Sequence, residues 1–471
     1  MKYKERYLWL STGAVLLAIF AFITFAPTVF AQSGNSDTDE YLQTFMQVFR
    51  FIEDYYVEET DPEALIKGAL DGMFETLGDP YSYYLDVDDM ANLSDTTTGN
   101  FTGVGLIISK PNADLETVDE DLLPYVEVVT PIDGTPAYKA GISAGDFITK
   151  IEDESTETLT LDDVVDRLRG APGTEVQVTI LRAKSTEFNV TIKREVIEVP
   201  TVKHAMITDN IAYLRIIQFT PFTDNRIKDA IDEFELQGYD SMIIDLRNNP
   251  GGLLKSVVDT SDLFLPGGTI VSTRSRVPLE NQVFTANQNT RVPLEFPIVI
   301  LINKSSASAS EILAGALRDH DRATVVGETS YGKGSVQQVQ DLSHGGGFKL
   351  TTSRYYTPNG ENIDKVGIVP DMEVKEPPLS EAEQQSLQKL TETNSVAAFV
   401  EQNPSPDESE TDSFLAGLRS EGIALKDRLI RRLIKNEVNR TNNNPPVFDL
   451  EYDLVLQRAV GILQSNQVVA P

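Results

Sequence analysis

The stretch from Ile298 to Leu317 reads IVILINKSSASASEILAGAL. Its first five residues are an unbroken apolar run, which is typical of a strand buried on both faces. A polar turn follows, and from Ala309 onward apolar residues recur at helical spacing. The stretch therefore predicts a strand, a short turn and a helix, which is the repeating unit of an α/β domain.

The same alternation of strands and helices extends to both sides of this stretch, over residues 199–374. The predicted strands are Ile211–Ile216, Met242–Asp245, Ile298–Ile302 and Ala323–Val326. The predicted helices are Asp224–Glu235, Leu254–Leu263 and Ala309–Asp319. We therefore expect an α/β domain in this part of the chain.

Three further regions flank the α/β domain. Helical periodicity predicts a helical N-terminal module over residues 39–98. Residues 101–194 predict a compact module with a short helix at Asp162–Leu168 and strands at Val104–Ile108, Tyr125–Val129, Phe147–Ile151, Val176–Leu181 and Phe188–Ile192. Residues 378–471 predict a polar helical extension with helices at Arg419–Asn436 and Leu454–Leu463 and an acidic, proline-containing linker at about 403–413. The chain is thus expected to be a multidomain protein of mixed α+β and α/β class.

The N-terminal 31 residues predict export. Three basic residues up to Arg6 precede an apolar run from Leu8 to Ala26. Val29-Phe30-Ala31 then offers small residues at the positions that a signal peptidase recognises. We expect a signal peptide that is cleaved after Ala31, and a retained single membrane anchor is the alternative. Either way, the rest of the chain is expected to be extracytoplasmic, secreted or tethered to the cytoplasmic membrane.

The composition limits the chemistry. The chain has 40 Lys plus Arg against 72 Asp plus Glu, a net charge of −32, which argues against a nucleic-acid partner. It has no cysteine, so a thiolate nucleophile and a cysteine-based zinc site are excluded. With only three histidines, a mechanism based on histidine is unpromising, and we expect neither a metal nor another cofactor.

A candidate nucleophile lies in the turn between the strand and the helix quoted above. Four serines, Ser305, Ser306, Ser308 and Ser310, surround the start of the helix. The first N–H groups of a helix have no partner within it and can stabilise an oxyanion. The alternative is a purely structural helix cap, in which a serine and Glu311 form a capping box. The residues alone leave both readings open and do not choose among the serines.

A candidate base is Lys333, which lies between Gly332 and Gly334 after the last predicted strand. Burial beside a serine would disfavour the ammonium form, and a neutral amine can accept a serine proton. Two other motifs overlap here. A Walker A loop would need a serine or threonine where Gly334 stands, and the S-x-x-K pattern from Ser330 to Lys333 would need a helix that the glycines oppose.

A third element, Ile243–Leu254, ends a strand with Asn-Asn-Pro-Gly-Gly and then starts a helix. Glycines in such a turn expose backbone N–H groups that can form a nest for an anion. An ordinary turn between a strand and a helix is the alternative.

Together and in this order, these elements resemble the C-terminal processing (tail-specific) peptidases, which are serine peptidases with a Ser–Lys catalytic pair. The resemblance extends from about Tyr41 to Asp371. The motifs that carry it are Gly78-Asp-Pro-Tyr-Ser-Tyr-Tyr84, Leu246-Arg-Asn-Asn-Pro-Gly-Gly252, Ser306-Ala-Ser-Ala-Ser-Glu-Ile312, Tyr331-Gly-Lys-Gly-Ser-Val-Gln337, Tyr355-Tyr-Thr-Pro-Asn-Gly360 and Gly367-Ile-Val-Pro-Asp371. Residues 101–194 similarly resemble a PDZ domain, on Gly103-Val-Gly-Leu106 and on Pro136–Ile148.

The resemblance implies the roles of individual residues. It selects Ser308 as the nucleophile and Lys333 as the base, with Gln337 orienting the lysine one helical turn later. It also implies an oxyanion hole formed by backbone N–H groups of Gly251, Gly252 and Ala309. A substrate's C-terminal tail would bind the PDZ loop at Gly103, Val104, Gly105 and Leu106.

The implied function is a serine endopeptidase that cleaves near the C-termini of extracytoplasmic proteins and recognises their tails through the PDZ domain. Its partners would be protein or peptide substrates, and assembly into a homo-oligomer is left open. A function of another class, a catalytically silent PDZ adaptor that binds protein C-termini, is the alternative. An acyl adduct with a serine-directed probe would separate the two.

Overall fold

The computed structural model describes residues 36–87, 89–90, 93, 99–110, 123–132, 134–143, 145–182, 186–287, 290–343, 345–375, 377, 379–440 and 446–467. The chain divides into two compact units, residues 1–86 and residues 87–471. The predicted signal peptide or anchor, residues 1–31, lies outside the described residues. In the part that is described, no helix is both long enough and apolar enough to span a bilayer.

The described residues of the first unit, from Ser36 onward, form two helices and a short strand. These are α1 (Ser36–Tyr55), α2 (Pro62–Glu75) and β1 (Tyr83–Leu85). Helix α2 begins where expected for its sequence, because the Asp61 carboxylate accepts a hydrogen bond from the N–H of Glu63 at 2.9 Å and Pro62 occupies the first turn.

The second unit begins with a PDZ-like module. Its sheet has the order β3-β4-β5-β7-β8, with β6 paired to β5. The strands are β2 (Asn100–Gly103), β3 (Leu106–Ser109), β4 (Val126–Pro131), β5 (Phe147–Ile151), β6 (Glu154–Ser155), β7 (Glu175–Arg182), β8 (Thr186–Lys193) and β9 (Glu195–Glu198), and the helices are α3 (Pro136–Lys139) and α4 (Leu161–Leu168). Strands β2 and β9 form a separate ribbon, which leaves β3 as an edge strand.

The predicted continuous strand Val104–Ile108 is wrong. The chain leaves β2 after Gly103 and enters β3 at Leu106. Gly105 causes the break, because its φ of 83° lies in the left-handed region and a Cβ there would lie 2.3 Å from the Cβ of Thr135.

The α/β domain is built on a six-stranded sheet of order β10-β11-β12-β15-β16-β19. The strands are β10 (Val202–Met206), β11 (Ile211–Ile216), β12 (Ser241–Asp245), β15 (Ile298–Ile302), β16 (Ala323–Gly327) and β19 (Met372–Glu373). All neighbours from β11 to β19 are parallel, and β10 is antiparallel to β11. The largely apolar sequences of β11, β12 and β15 are explained by burial on both faces.

One face of this sheet is covered by α5 (Thr223–Gln237), α6 (Leu254–Asp262) and α7 (Ala309–Asp319). A smaller antiparallel sheet accompanies the domain. It pairs β17 (Ser335–Asp341) with β18 (Gly347–Tyr356), β18 with β13 (Thr269–Ser275), and β13 with β14 (Gln282–Thr285).

The C-terminal region is more structured than the sequence suggests. Helices α8 (Glu381–Glu392), α9 (Ser395–Gln402), α10 (Glu408–Ser420) and α11 (Asp427–Arg440) share a separate apolar core. The predicted linker at about 403–413 is wrong from Glu408 onward, because Asp407 and Glu410 form a capping box that starts α10. The single predicted helix Arg419–Asn436 is also wrong. It is interrupted at Gly422, whose φ is 81°.

Helix α12 (Leu454–Gln467) does not belong to that separate core. It covers the second face of the six-stranded sheet, where Leu456, Ala459 and Leu463 pack with Ile243 and Leu301. The expected polar extension therefore ends in a helix that completes the core of the α/β domain.

Candidate active site

The site lies where three neighbouring parallel strands end. Strands β12, β15 and β16 are adjacent and run in the same direction. The segments that follow them, residues 246–252, 303–308 and 328–334, therefore emerge at the same edge of the sheet. This edge is where α/β domains build their sites, because the connections to the next helices diverge there.

The four candidate serines differ in what their hydroxyl groups do. Ser306 Oγ donates to the carbonyl oxygen of Leu246 at 2.9 Å, and Ser310 Oγ donates to that of Asn249 at 3.0 Å; both serines are buried. Ser305 is exposed. Ser308 is half-buried and lines a cavity of about 400 Å³, as expected of a nucleophile.

Ser308 sits in a strained turn immediately before α7. Its φ of 55° and ψ of −113° place a side-chain-bearing residue in a region that favours glycine. Such conformations cost on the order of 1–3 kcal/mol and persist only where surrounding contacts enforce them. A sharp turn between a strand and a helix presents a serine hydroxyl to the space above the sheet.

Lys333 and Gln337 line the same cavity as Ser308. The structure thus brings together the three side chains that the resemblance selected. The predicted oxyanion residues Gly251, Gly252 and Ala309 line this cavity too, and its apolar wall includes Leu254, Ile312 and Val336.

The loop that carries Lys333 is held tightly by backbone packing. A Cβ on Gly332 would lie 2.9 Å from the N of Val366, and one on Gly334 would lie 2.4 Å from the N of Asp364. The Tyr355 hydroxyl donates to the carbonyl oxygen of Lys333. The two glycines are therefore required by close approach of another chain segment, which fixes the path of the loop around the lysine.

Glu311 joins the nucleophile turn to the lysine loop. Its Oε2 accepts the backbone N–H of Ser308 at 2.8 Å and that of Lys333 at 2.9 Å. Its Oε1 accepts the Ser330 hydroxyl at 2.6 Å and the N–H of Gly332 at 2.7 Å. Burial raises the pKa of Glu311 above its ordinary value, although these four hydrogen bonds to the carboxylate act in the opposite direction.

Ser330 is a structural residue in this arrangement. Its buried hydroxyl donates to Glu311 and accepts the N–H of Ile368 at 2.6 Å. No helix contains Ser330 and Lys333, so the geometry that an S-x-x-K motif requires is absent from this described loop.

Gln337 lies on strand β17 and not one helical turn after the lysine, so that detail of the prediction is wrong. A bulge between Val336 and Gln337 interrupts the pairing of β17 with β18, and bulges re-aim side chains near active sites. The Gln337 Nε2 donates to Ser335 Oγ at 2.8 Å and to Thr351 Oγ1 at 3.2 Å. These bonds fix the amide at the cavity wall.

The glycine turn after β12 packs directly on Ser308. A Cβ on Gly251 would lie 2.8 Å from the Cβ of Ser308 and 3.0 Å from the N of Ala309. The N–H of Gly251 donates to Asn249 Oδ1 at 2.8 Å. In this structure that N–H is engaged within the turn, and the role of Gly251 as an oxyanion donor stays a prediction.

Gly252 differs from its neighbour. Its φ is 143°, and a Cβ there would lie 2.1 Å from the carbonyl oxygen of Phe219. Among the described residues we find no acceptor for the N–H of Gly252 or for that of Ala309, which opens helix α7. These two groups remain as candidate donors at the cavity.

The predicted tail-binding residues lie in a separate groove of about 170 Å³ in the PDZ-like module. Gly103, Val104, Gly105 and Leu106 form one end, and the edge strand β3 and helix α4 form the sides, with Ile108, Val165, Leu168 and Arg169. Within the described chain, the N–H groups of Val104 and Gly105 donate to no protein acceptor.

Reasoning from sequence missed the role of Glu311. The signal was present, since a serine followed three residues later by glutamate at a helix start was noted as a capping box. The pattern could not show that the same carboxylate also reaches Gly332 and Lys333, 21 and 22 residues away.

Family comparisons match three parts of the chain. The model described as peptidase family S41 matches residues 210–374. The PDZ domain model matches residues 127–182, and the activating protease CtpB N-terminal domain matches residues 26–89.

Individual relatives match over most of their length. A carboxy-terminal-processing protease of Bartonella bacilliformis is 40% identical over 368 residues, which are 76% of this chain and 81% of that protein. A carboxyl-terminal-processing protease of Synechocystis sp. is 35% identical, over 81% of this chain and 90% of that protein. Among solved structures, a photosystem II D1 C-terminal processing protease is 29% identical with a TM-score of 0.42, over 70% of this chain and 92% of that chain.

These relatives are processing proteases, and this chain matches both the S41 peptidase model and the PDZ model, so the chain is a peptidase and the alternative of a silent adaptor is set aside. The chain belongs to the carboxy-terminal processing serine peptidases of peptidase family S41.

Proposed function

We propose that Ser308 is the nucleophile and Lys333 the general base. The neutral amine of Lys333 accepts the hydroxyl proton as Ser308 Oγ attacks the scissile carbonyl carbon. The resulting ammonium returns that proton to the leaving amine, and an acyl-enzyme remains. Water then attacks the ester carbonyl while Lys333 accepts its proton, and the ammonium returns that proton to Ser308 Oγ as the ester bond breaks and the acid product leaves. The observation that carries this proposal is that both side chains line one cavity while Glu311 holds both backbones.

The oxyanion of each tetrahedral intermediate would accept hydrogen bonds from the N–H groups of Gly252 and Ala309. Both residues line the cavity beside Ser308. Gln337 would position Lys333 from the cavity wall, where its own amide is held by Ser335 and Thr351. Pre-positioned donors of this kind lower the barrier because they need no reorganisation during the reaction.

The groove of the PDZ-like module would bind the substrate's C-terminal tail. An incoming peptide would add a strand to the edge of β3, and its terminal carboxylate would meet the N–H groups of Val104 and Gly105, with Leu106 beside them. The apolar lining at Val165 and Leu168 favours a tail that ends in an apolar side chain. Captured at its end, a substrate would be cleaved near that end.

We further propose that the protein acts outside the cytoplasm, because of the basic and apolar pattern of residues 1–31. Mass spectrometry of the mature N-terminus in exported fractions tests this. A chain that starts at Gln32 supports cleavage, an intact chain in the membrane fraction supports an anchor, and an intact chain in the cytoplasm contradicts the proposal.

The catalytic assignment is tested with an unfolded protein substrate that has an apolar tail. Ser308→Ala and Lys333→Ala should each abolish cleavage, and Ser305→Ala, an exposed serine three residues away, should retain it. Circular dichroism and thermal unfolding check the fold of each variant. Cleavage by a folded Ser308→Ala or Lys333→Ala protein would contradict the assignment.

A serine-directed probe identifies the nucleophile independently. Peptide mapping should find the adduct on Ser308. An adduct on Ser330 would support the S-x-x-K alternative instead, and the absence of any adduct despite tail binding would support the adaptor.

A further inference from the structure

The residue before the glycine turn, Arg247, is held by two aspartates, the nearby Asp245 and the distant Asp453. Its side chain is 18% exposed. Nε donates to Asp245 at 3.0 Å, and the two terminal nitrogens donate to Asp453 at 2.9 and 2.7 Å. Asp453 thus forms the paired, two-point contact that a guanidinium makes with a carboxylate.

Asp453 also starts helix α12. Its Oδ1 accepts the N–H of Leu456 at 2.9 Å, so the carboxylate that holds Arg247 is part of the helix cap. Helix α12 is fixed to the sheet through Leu456, Ala459 and Leu463. The position of Asp453 is therefore set by helix α12 and the core, independently of Arg247.

The turn that follows Arg247 is tied to the nucleophile on its other side. The carbonyl oxygen of Asn249 accepts the N–H of Ala307 at 3.0 Å and the hydroxyl of Ser310 at 3.0 Å. The Asn249 side chain donates to the carbonyl oxygen of Ile216 at 2.9 Å. The segment that carries Gly252 is thus fixed between the nucleophile helix and Arg247.

From these contacts we infer that Asp453 is a positioning residue for the peptidase reaction. Through Arg247 it sets the position of the glycine turn, and hence the aim of the Gly252 N–H at the oxyanion. This inference rests on the proposed function of the site. It assigns part of the catalytic geometry to helix α12, which lies beyond the matched peptidase region of residues 210–374.

The position of Arg247 depends on attraction from both aspartates. Arg247 lies between two carboxylates, those of Asp245 and Asp453, at 2.5 and 2.7 Å. If Asp453 loses its charge, only Asp245 attracts the guanidinium, and Arg247 is free to shift toward β12. The turn that begins at the next residue would move with it. An oxyanion donor has to be placed within a few tenths of an ångström to act in the transition state.

The test compares Asp453→Asn with wild type, using a peptide substrate and steady-state kinetics. Asparagine is also a good N-cap, so α12 is retained while the charge is lost. We expect kcat to fall about tenfold with KM unchanged, because oxyanion stabilisation is expressed in the transition state. Asp453→Glu, which keeps the charge, should recover much of the loss.

Asp449→Asn is the matched control. Asp449 lies in the same segment and pairs with Lys435 at 2.8 Å, away from Arg247. It should leave kcat unchanged. A purely structural role of Asp453 would lower the unfolding temperature of Asp453→Asn without changing kcat of the folded protein.

A second variant decides the matter if Asp453→Asn does not fold. Arg247→Lys keeps the positive charge but cannot contact both aspartates through a planar fork, and it should show the same loss in kcat. The inference is overturned if the folded variants keep kcat within twofold of wild type. That result leaves the proposed function intact as long as Ser308→Ala is inactive, whereas an active Ser308→Ala would overturn the proposed function itself.

Discussion

The side chain of Glu311 accepts the backbone N–H of Lys333 at 2.9 Å. The same oxygen, Oε2, accepts the N–H of Ser308 at 2.8 Å. One buried atom therefore sets the distance between the backbone of the nucleophile and the backbone of the base. An ionised carboxylate has only acceptors, so both of its oxygens can accept hydrogen bonds from the two segments at once.

Glu311→Gln should strongly reduce turnover. The amide replaces one carboxylate oxygen with a donor, which would face N–H groups from Ser308 and Lys333 or from Gly332. Hydrogen bonds to charged groups contribute about 1.5–3 kcal/mol each, so we expect kcat to fall about 100-fold. Glu361→Gln, an exposed carboxylate that pairs with Arg318, is the control and should keep full activity. Equal turnover of both variants would show that Glu311 does not position the pair.

Gly252→Ala should reduce kcat by about 10²–10³-fold, the usual effect of losing one oxyanion donor. Its Cβ would clash with the carbonyl oxygen of Phe219, so the turn must move. Gly238→Ala is the matched control. Gly238 has a φ of 79° with open space around it, so alanine there costs about 1 kcal/mol of stability but leaves the site alone. Comparable kcat for the two folded variants would argue against Gly252 as a donor.

Val165→Glu should weaken recognition of a substrate tail without affecting the chemistry. Val165 lines the groove that we propose for the terminal carboxylate, and a second carboxylate there would repel it. We expect KM for a free-tail substrate to rise about tenfold, or about 1.4 kcal/mol, with kcat unchanged. Amidating the substrate's C-terminus should raise KM in wild type but add little in Val165→Glu. Equal KM values for free and amidated tails in wild type would contradict tail capture.

Asp245→Asn should destabilise the peptidase domain in a pH-dependent way. Burial opposes the charge of Asp245, but Arg247 and the Tyr213 hydroxyl outweigh burial, and the pKa of Asp245 lies below its ordinary value. A lowered pKa means that its stabilisation is complete above about pH 4 and is lost as the pH falls through the folded-state pKa.

Urea unfolding should therefore show a loss of about 3 kcal/mol at pH 7, the usual result of breaking a buried ion pair, and a smaller difference below pH 4. Asp232→Asn, which removes an exposed carboxylate paired with Arg291, should cost less than about 1 kcal/mol at either pH. A loss at Asp245 that does not change with pH would contradict the ionic explanation.

Sequence predicts best the helices and strands that follow from one local pattern. The strand Ile298–Ile302 and the helix Ala309–Asp319 have the predicted bounds, because an apolar run and a helical period each leave one solution. Predictions failed where one residue changed the path of the chain. Gly105 delays the start of a predicted strand, Gly422 splits a predicted helix, and Asp407 starts a helix inside a predicted linker.

The candidate site was predictable only in part. The motifs brought Ser308, Lys333 and Gln337 together, and the structure places all three at one cavity. The spacing of Lys333 and Gln337 is typical of a helix as well as of a bulged strand. The predicted helical turn between them was therefore wrong. The contact of Arg247 with Asp453 spans 206 residues, and no local pattern predicts a partner so distant.

The position of helix α12 in the chain determines when the peptidase domain can finish folding during synthesis. Ribosomes release a chain from its N-terminus, so the strands and loops of the peptidase domain emerge long before Leu454–Gln467. Until that helix has emerged, Ile243 and Leu301 lack the packing of Leu456, Ala459 and Leu463 on their face of the sheet. We therefore expect the nascent chain to remain an incomplete enzyme until Leu454–Gln467 has emerged, so that a protease matures only after the helix that completes its sheet has been made.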